Sequence, residues 1–167
     1  MKNVFFINGT MGVGKTATSR ELQKLLPKCA FLDGDWCWDM NPFIVTDETK
    51  NMVEDNICYV LNNFLRCSEY ENIIYCWVMH EEYIIKNILS KLNLQDIILY
   101  KISLICSEQS LVERISKDVE RGIRTKDVIE RSIARLSNYV LMDTIKIDVS
   151  NIDSNQAAQQ IINNIGG

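Results

Sequence analysis

The chain has little of what several common chemistries need. Its one histidine, His80, and its six cysteines (Cys29, Cys37, Cys58, Cys67, Cys76 and Cys106) include no C-x-x-C pair. That removes the ligand spacing of a zinc ribbon and of a dithiol redox centre. Several of the cysteines fall inside apolar runs, so free thiols in a reducing compartment are expected, with Cys37 as a bystander in its loop. Basic residues number 18 against 22 acidic, a formal charge of −4 with no basic block. This balance argues against nucleic acid as the principal partner. No apolar run reaches the length of a membrane span, and Met1-Lys2-Asn3 leads into an apolar run without a signal-peptide pattern. No membrane partner is therefore expected, and the cytoplasm is the expected location. No linker, repeat or low-complexity segment divides the 167 residues, a length that suits one domain over 1–167 with a full core.

What the chain does contain is concentrated near its start. Gly9-Thr10-Met11-Gly12-Val13-Gly14-Lys15-Thr16 fits G-x-x-x-x-G-K-[ST], the phosphate-binding loop of nucleoside triphosphate enzymes. Val4-Phe5-Phe6-Ile7 before it reads as a buried parallel strand, and Ala17 to Leu26 after it places Leu22, Leu25 and Leu26 at helical spacing before Pro27. Strand, glycine loop and helix arrive in the order the chemistry requires. Glycines let successive backbone amides turn toward phosphate oxygens, and the start of the helix adds its unpaired N–H groups. Lys15 is placed to serve the β- and γ-phosphates of ATP, and Thr16 to be a ligand of Mg²⁺.

Further along, short apolar runs alternate with helical patterns. Cys29 to Leu32, Asn72 to Val78, Ile97 to Ile105 and Thr144 to Val149 read as strands two to five. Between and after them lie helices capped near Thr46 or Asp47 and running to Arg66, starting near Glu81, capped at Ser107, restarting at Val128, and capped at Ser154. The alternation predicts an α/β fold in which helices cover both faces of a parallel sheet. Ligands of such sheets bind beyond the carboxyl ends of the strands. This rule gathers the phosphate loop, Asp33 to Trp38, His80 with Glu81, and Ser107 on one rim.

Two further groups of residues fall on that rim. Asp33-Gly34-Asp35 closes strand two with two carboxylates that could divide the work, one orienting a metal or its waters and one accepting a proton from an attacking hydroxyl. A polar Asp-Gly turn is the plainer reading in isolation, and the neighbouring phosphate loop favours the chemical one. Trp36 and Trp38 either line an acceptor pocket or are core aromatics of the neighbouring helical segment. Arg121, Gly122 and Arg124 occupy a hinge between two helices, as expected of a lid over about 119–128 that brings arginine to a transferring phosphate. Arg114 could lie against an adenine ring. Arg131 and Arg135 could face phosphates, but a solvated helix face accounts for them more simply. Trp77-Val78-Met79 carries no acid, which disfavours a motor-type ATPase, and no N-K-x-D guanine signature is present.

With these residues in view, the chain resembles the small P-loop kinases, the group that contains shikimate kinase, gluconate kinase, chloramphenicol phosphotransferase and the tunicamycin-resistance proteins. The resemblance runs over essentially the whole length and rests on Ile7-Asn8-Gly9 entering the loop, Thr16-x-Thr18-x-x-Glu21-Leu22, Asp33-x-Asp35, and Leu111-x-x-Arg114 followed by Arg121. It implies a three-layer P-loop fold with a five-stranded parallel sheet in the order 2-3-1-4-5 and a small lid. It also implies transfer of the ATP γ-phosphate to a hydroxyl of a small molecule. By position, Asp33 resembles the magnesium-side carboxylate, Asp35 the acceptor-side base, Arg114 the adenine-stacking arginine and Arg121 the lid arginine. Ser150 resembles the residue at the adenine edge. Gly9, Thr10, Gly12, Val13, Gly14, Lys15 and Thr16 would hold ATP, the segment about 33–66 would face the acceptor, and Arg124 would assist Arg121. The glycine-rich turn that shikimate kinases carry after strand three is replaced here by Trp77-Val78-Met79-His80. Two other activities fit the same residues: a nucleotide-dependent binding or sequestering protein, and a nucleoside or nucleotide kinase with Trp36 or Trp38 stacked on a base.

Overall fold

A computed structural model describes residues 1–166 of the chain. Its elements follow in the order β1 (Lys2–Asn8), α1 (Lys15–Leu25), β2 (Cys29–Asp33), a 3₁₀ helix (Gly34–Trp38), α2 (Asp47–Arg66), β3 (Asn72–Cys76), α3 (Glu82–Ser90), β4 (Ile97–Ile105), α4 (Glu108–Glu120), α5 (Asp127–Leu141), β5 (Ile145–Asp148) and α6 (Ser154–Ile165). The five strands form a parallel sheet in the order β2-β3-β1-β4-β5. This is the α/β P-loop fold that the sequence predicts.

Alternation along the strands divides the core into two layers. Phe5 and Ile7 of β1, with Phe31, Ile74, Ile102, Leu104 and Ile147 from the other strands, pack against Leu22 of α1 and Ala157, Ala158 and Ile161 of α6. Val4 and Phe6, with Leu32, Ile73 and Tyr75, face Val53, Ile57 and Leu61 of α2 and Ile85 and Ile88 of α3. Consecutive residues of one strand thus feed opposite layers. A third cluster joins Leu111 and Ile115 of α4 to Val128 of α5, with Met11 of the glycine loop packed against it.

Several local boundaries differ from the sequence reading, each for an identifiable reason. The segment after β2 is a 3₁₀ helix rather than an open polar turn, because the Asp33 carboxylate accepts the Asp35 amide at 3.0 Å and caps it. Helix α6 is capped by Asp153 rather than Ser154: Asp153 Oδ1 accepts the Gln156 amide at 2.8 Å while Gln156 returns the bond to the Asp153 amide at 3.0 Å. That reciprocal pair satisfies two orphan donors where a serine cap would satisfy one. In α5, Val128, Ser132 and Tyr139 are buried, whereas the apolar Val140 is exposed. Strand β3 ends at Cys76; the Trp77 amide still donates to the Ile7 carbonyl at 3.2 Å, and the chain then passes through Val78 onto the rim.

Candidate functional site

The glycine loop leaves the central strand β1 and enters α1 with Gly9, Gly12 and Gly14 at φ of 151°, 81° and 104°. Gly12 shows why a side chain is excluded there: a Cβ would stand 2.5 Å from Ile115 Cγ1 of α4, besides requiring a left-handed backbone. Gly14 is the N-cap of α1 and supplies no capping side chain, so the first amides of the helix remain free to meet a ligand. Lys15 lies half-buried with Nζ donating to the Thr10 carbonyl at 3.0 Å. Loss of hydration lowers its pKa from the ordinary lysine value, against the pull of nearby carboxylates including Asp35 and Asp33. The Thr10 hydroxyl points inward and donates to the Ser132 carbonyl of α5 at 2.8 Å.

Beside the loop, Thr16 Oγ1 donates to Asp33 Oδ2 at 2.6 Å. Asp33 is buried, and its other oxygen is held by the Asp35 amide, so the carboxylate is fixed against the start of α1. Among the described residues no group of three His, Cys, Asp or Glu side chains is arranged to hold a metal ion. A hydroxyl and one carboxylate are hard oxygen donors, few in number, as suits Mg²⁺, which keeps several waters and draws further ligands from phosphate. The residues present therefore fit a magnesium nucleotide.

Asp35 is two residues on and exposed, on the wall of a cavity of about 1040 Å³. Its pKa is raised, first by loss of hydration and then by Asp33, while Lys15, the Trp77 side chain and Arg124 oppose the rise. Trp36, Trp38, Trp77, His80 and Arg135 line the same cavity. Trp36 is held edge-on to Phe31 at 5.2 Å between ring centroids, with the Arg20 guanidinium 5.1 Å over its ring. Trp38 is partly buried beside Phe43 at 5.6 Å. Each tryptophan thus anchors in apolar packing and also faces the cavity. Burial and the neighbouring Arg135 depress the His80 pKa, keeping the imidazole neutral at pH 7.

The arginines separate. Arg114 donates to the Val13 carbonyl at 2.8 Å and to the carbonyls of Val149 and Ile152, tying α4 to the glycine loop and to the turn after β5. Ser150 lies in that turn, its hydroxyl donating to Asp148 at 2.6 Å and accepting the Ser107 amide at 2.8 Å. Arg124 pairs with Asp118 at 3.0 Å, and its charge bears on both Lys15 and Asp35. Arg121 ends α4 exposed, and Gly122 follows at φ 71° in open space. Arg131 is exposed and paired with Asp127 at 2.8 Å, whereas Arg135, expected on a solvated face, faces the cavity. Sequence spacing placed both arginines on one side of α5, but not that α5 is rolled to carry the second inward. His80 and Tyr83 of the cavity wall likewise carried no motif; their place just beyond β3 was the one available signal.

A family model described as an AAA domain matches residues 6–136. No curated protein matches the chain. Among solved structures, the tunicamycin resistance protein of Deinococcus radiodurans aligns over 99% of this chain and 96% of its own, at 20% identity and a TM-score of 0.67. A gluconokinase from Sinorhizobium meliloti 1021 aligns over 98% of this chain and 95% of its own, at 15% identity and a TM-score of 0.65. The shikimate kinase of Acinetobacter baumannii, solved with shikimate, covers 99% of this chain and 93% of its own, at 19% identity and a TM-score of 0.66. The likeness to these three is one of fold.

Proposed function

The chain belongs to the family described as the AAA domain, a group of P-loop proteins, and from that membership and the geometry of the rim we propose an ATP-dependent phosphotransferase acting on a hydroxyl of a small molecule. One observation carries the reading. Asp35 stands where the phosphate loop and the aromatic cavity meet, within the electrostatic reach of Lys15 and on the cavity wall. Bound Mg²⁺·ATP would supply the γ-phosphoryl group and neutralise charge during its transfer. The amides of Gly9 to Thr16 and the Lys15 ammonium hold the phosphates, while Thr16 and Asp33 place the metal. Thr10 serves through its backbone, its hydroxyl being engaged with α5. Arg114 and Ser150 border the adenine, at the turn they already organise.

Asp35 takes the proton of the acceptor hydroxyl as that oxygen bonds the γ-phosphorus and the bridging oxygen departs with ADP. A carboxylate whose pKa is raised is a stronger base than an ordinary one and suits this task. The segment about 119–128 acts as the lid, with Arg124 within electrostatic reach of Lys15 and Asp35 and Arg121 arriving on closure. Trp36 and Trp38 hold the acceptor. Among the described residues no helix is long and apolar enough to cross a membrane, and the six cysteines are free thiols, which supports a reducing cytoplasm.

The test is ADP release with Mg²⁺·ATP across hydroxyl-bearing compounds, run beside Asp35→Asn. One acceptor class should stimulate turnover in the native protein, and the variant should lose about 10²-fold or more of that rate while binding ATP normally. Equal stimulation of both proteins would remove Asp35 from the reaction.

A further inference from the structure

The acceptor cavity has a chemistry of its own, and on the reading that it takes an acceptor, we infer that its ligand is a neutral, ring-bearing hydroxyl compound of drug size rather than a sugar acid or a nucleoside monophosphate. Five aromatic side chains, Trp36, Trp38, Phe43, Trp77 and Tyr83, share its wall. They include all three tryptophans of the chain. Small polyhydroxyl acids are recognised by polar groups that replace water one bond at a time, which the five rings do not supply. Flat apolar rings, by contrast, gain from stacking and edge contacts with every one of these side chains. At about 1040 Å³ the space exceeds what a single sugar ring fills and lies just above the range of drug-sized sites, roughly 300–1,000 Å³.

Charge points the same way. Two cationic side chains line the cavity, Lys50 and Arg135. Lys50 already faces Asp47 at 3.5 Å, so Arg135 is the one lining cation without an ion-pair partner among the described residues. Against it stand Asp35, Asp39 and Glu54. Glu54 is committed to Lys91 at 2.5 Å and to Asn87 at 2.7 Å, which leaves two carboxylates and one guanidinium on the cavity wall. A phosphate dianion would meet net repulsion here. One guanidinium beside a neutral His80 suits a carbonyl or ring hydroxyl instead. Asp35 fixes the end at which the reacting hydroxyl must lie, and the rings hold the rest.

Because every tryptophan faces this cavity, indole emission reports its occupancy and no other site. Without ATP, the protein would be titrated with phenyl β-glucoside, glucose, gluconate and uridine 5′-monophosphate. The emission change should reach its midpoint at a concentration at least tenfold lower for phenyl β-glucoside than for the other three. Trp38→Leu should raise that midpoint about two- to tenfold, the range of a lost aromatic contact, while the midpoint for an ATP analogue followed by calorimetry stays in place. Gluconate or the monophosphate saturating at an equal or lower concentration overturns the inference, as does no response to phenyl β-glucoside up to its solubility. ADP release then separates the two claims. Binding in the expected order with no stimulated release leaves the ligand class standing and removes the transferase. Release stimulated by gluconate or by the monophosphate but not by the aryl glucoside does the opposite.

Discussion

Replacing Gly34 by alanine isolates the packing that shapes the rim. Gly34 is buried at the start of the 3₁₀ helix, and an alanine Cβ would lie 2.5 Å from Cγ, 2.6 Å from Cδ1 and 3.0 Å from Cβ of Trp77. Its backbone is not in the left-handed region, so the cost is one of space alone. The indole must swing toward the cavity or the helix must lift, and overpacking of this kind costs about 1–3 kcal/mol. For a domain of this size each kcal/mol lowers Tm by about 2–4 °C, so a fall of roughly 2–12 °C is expected. Gly122→Ala is the contrasting case. Nothing lies within 4 Å of its Cβ position, but φ is 71°, and the left-handed backbone alone costs about 1–2 kcal/mol. Both variants should be melted in the native chain and in a Trp77→Ala background, which removes the two shortest contacts, followed by circular dichroism. Most of the Gly34→Ala penalty should vanish in that background, whereas the Gly122→Ala penalty should persist within about 0.5 kcal/mol. A Gly34→Ala penalty of the same size in both backgrounds would show that the indole contact is not its cause.

Other expectations concern charge. Because the Asp35 pKa is raised in the fold, its ionised form is disfavoured there, so stability is highest below the ordinary carboxylate value of 3.8 and falls as pH rises through the folded pKa. Asp35→Asn should therefore melt above the native protein at pH 7, with the difference closing as the pH is taken toward that value; a difference that grows on acidification would reverse the sign of the argument. Arg124→Ala should lower acceptor-stimulated ADP release by about 10³-fold or more, as expected of an arginine serving a transferring phosphate. If Asp118 positions Arg124 through their 3.0 Å pair, Asp118→Asn should lower the rate less and leave the apparent ATP affinity unmoved.

The layered architecture was legible because each strand is a short apolar run and because the glycine loop fixes a strand before it and a helix after it. Strand order was less so: it came from resemblance, since no local pattern states that β1 lies between β3 and β4. Where two neighbouring residues could each cap a helix, as with Asp153 and Ser154, the glutamine three residues beyond the aspartate was the deciding signal. Tyr139 of α5 carries a hydroxyl, yet its whole side chain is buried. The carboxylates Asp33 and Asp35 were visible as a pair, but their opposite exposure was not: it follows from the 3₁₀ turn, which buries the first and turns the second to the cavity. Arg135 depends on the roll of α5, which is set partly by Thr10 reaching across to Ser132. Such a roll is a property of packing between distant segments, and spacing within one helix cannot encode it.

The connection between α4 and α5 has a consequence for how the chain could be assembled. Both helices are anchored by bonds that do not pass through it, α4 by Arg114 to the carbonyls of Val13 and Val149 and α5 by the Thr10–Ser132 bond. The link between them carries Gly122 in open space. Everything after it returns to the body of the protein through β5 on β4 and through α6 on α1. A chain opened between Gly122 and Ile123 would therefore retain every one of those contacts between its two parts. The fold could be supplied as two separately made polypeptides that find each other along the edge of β4, and regained ADP release on mixing would be a readout that neither part gives alone.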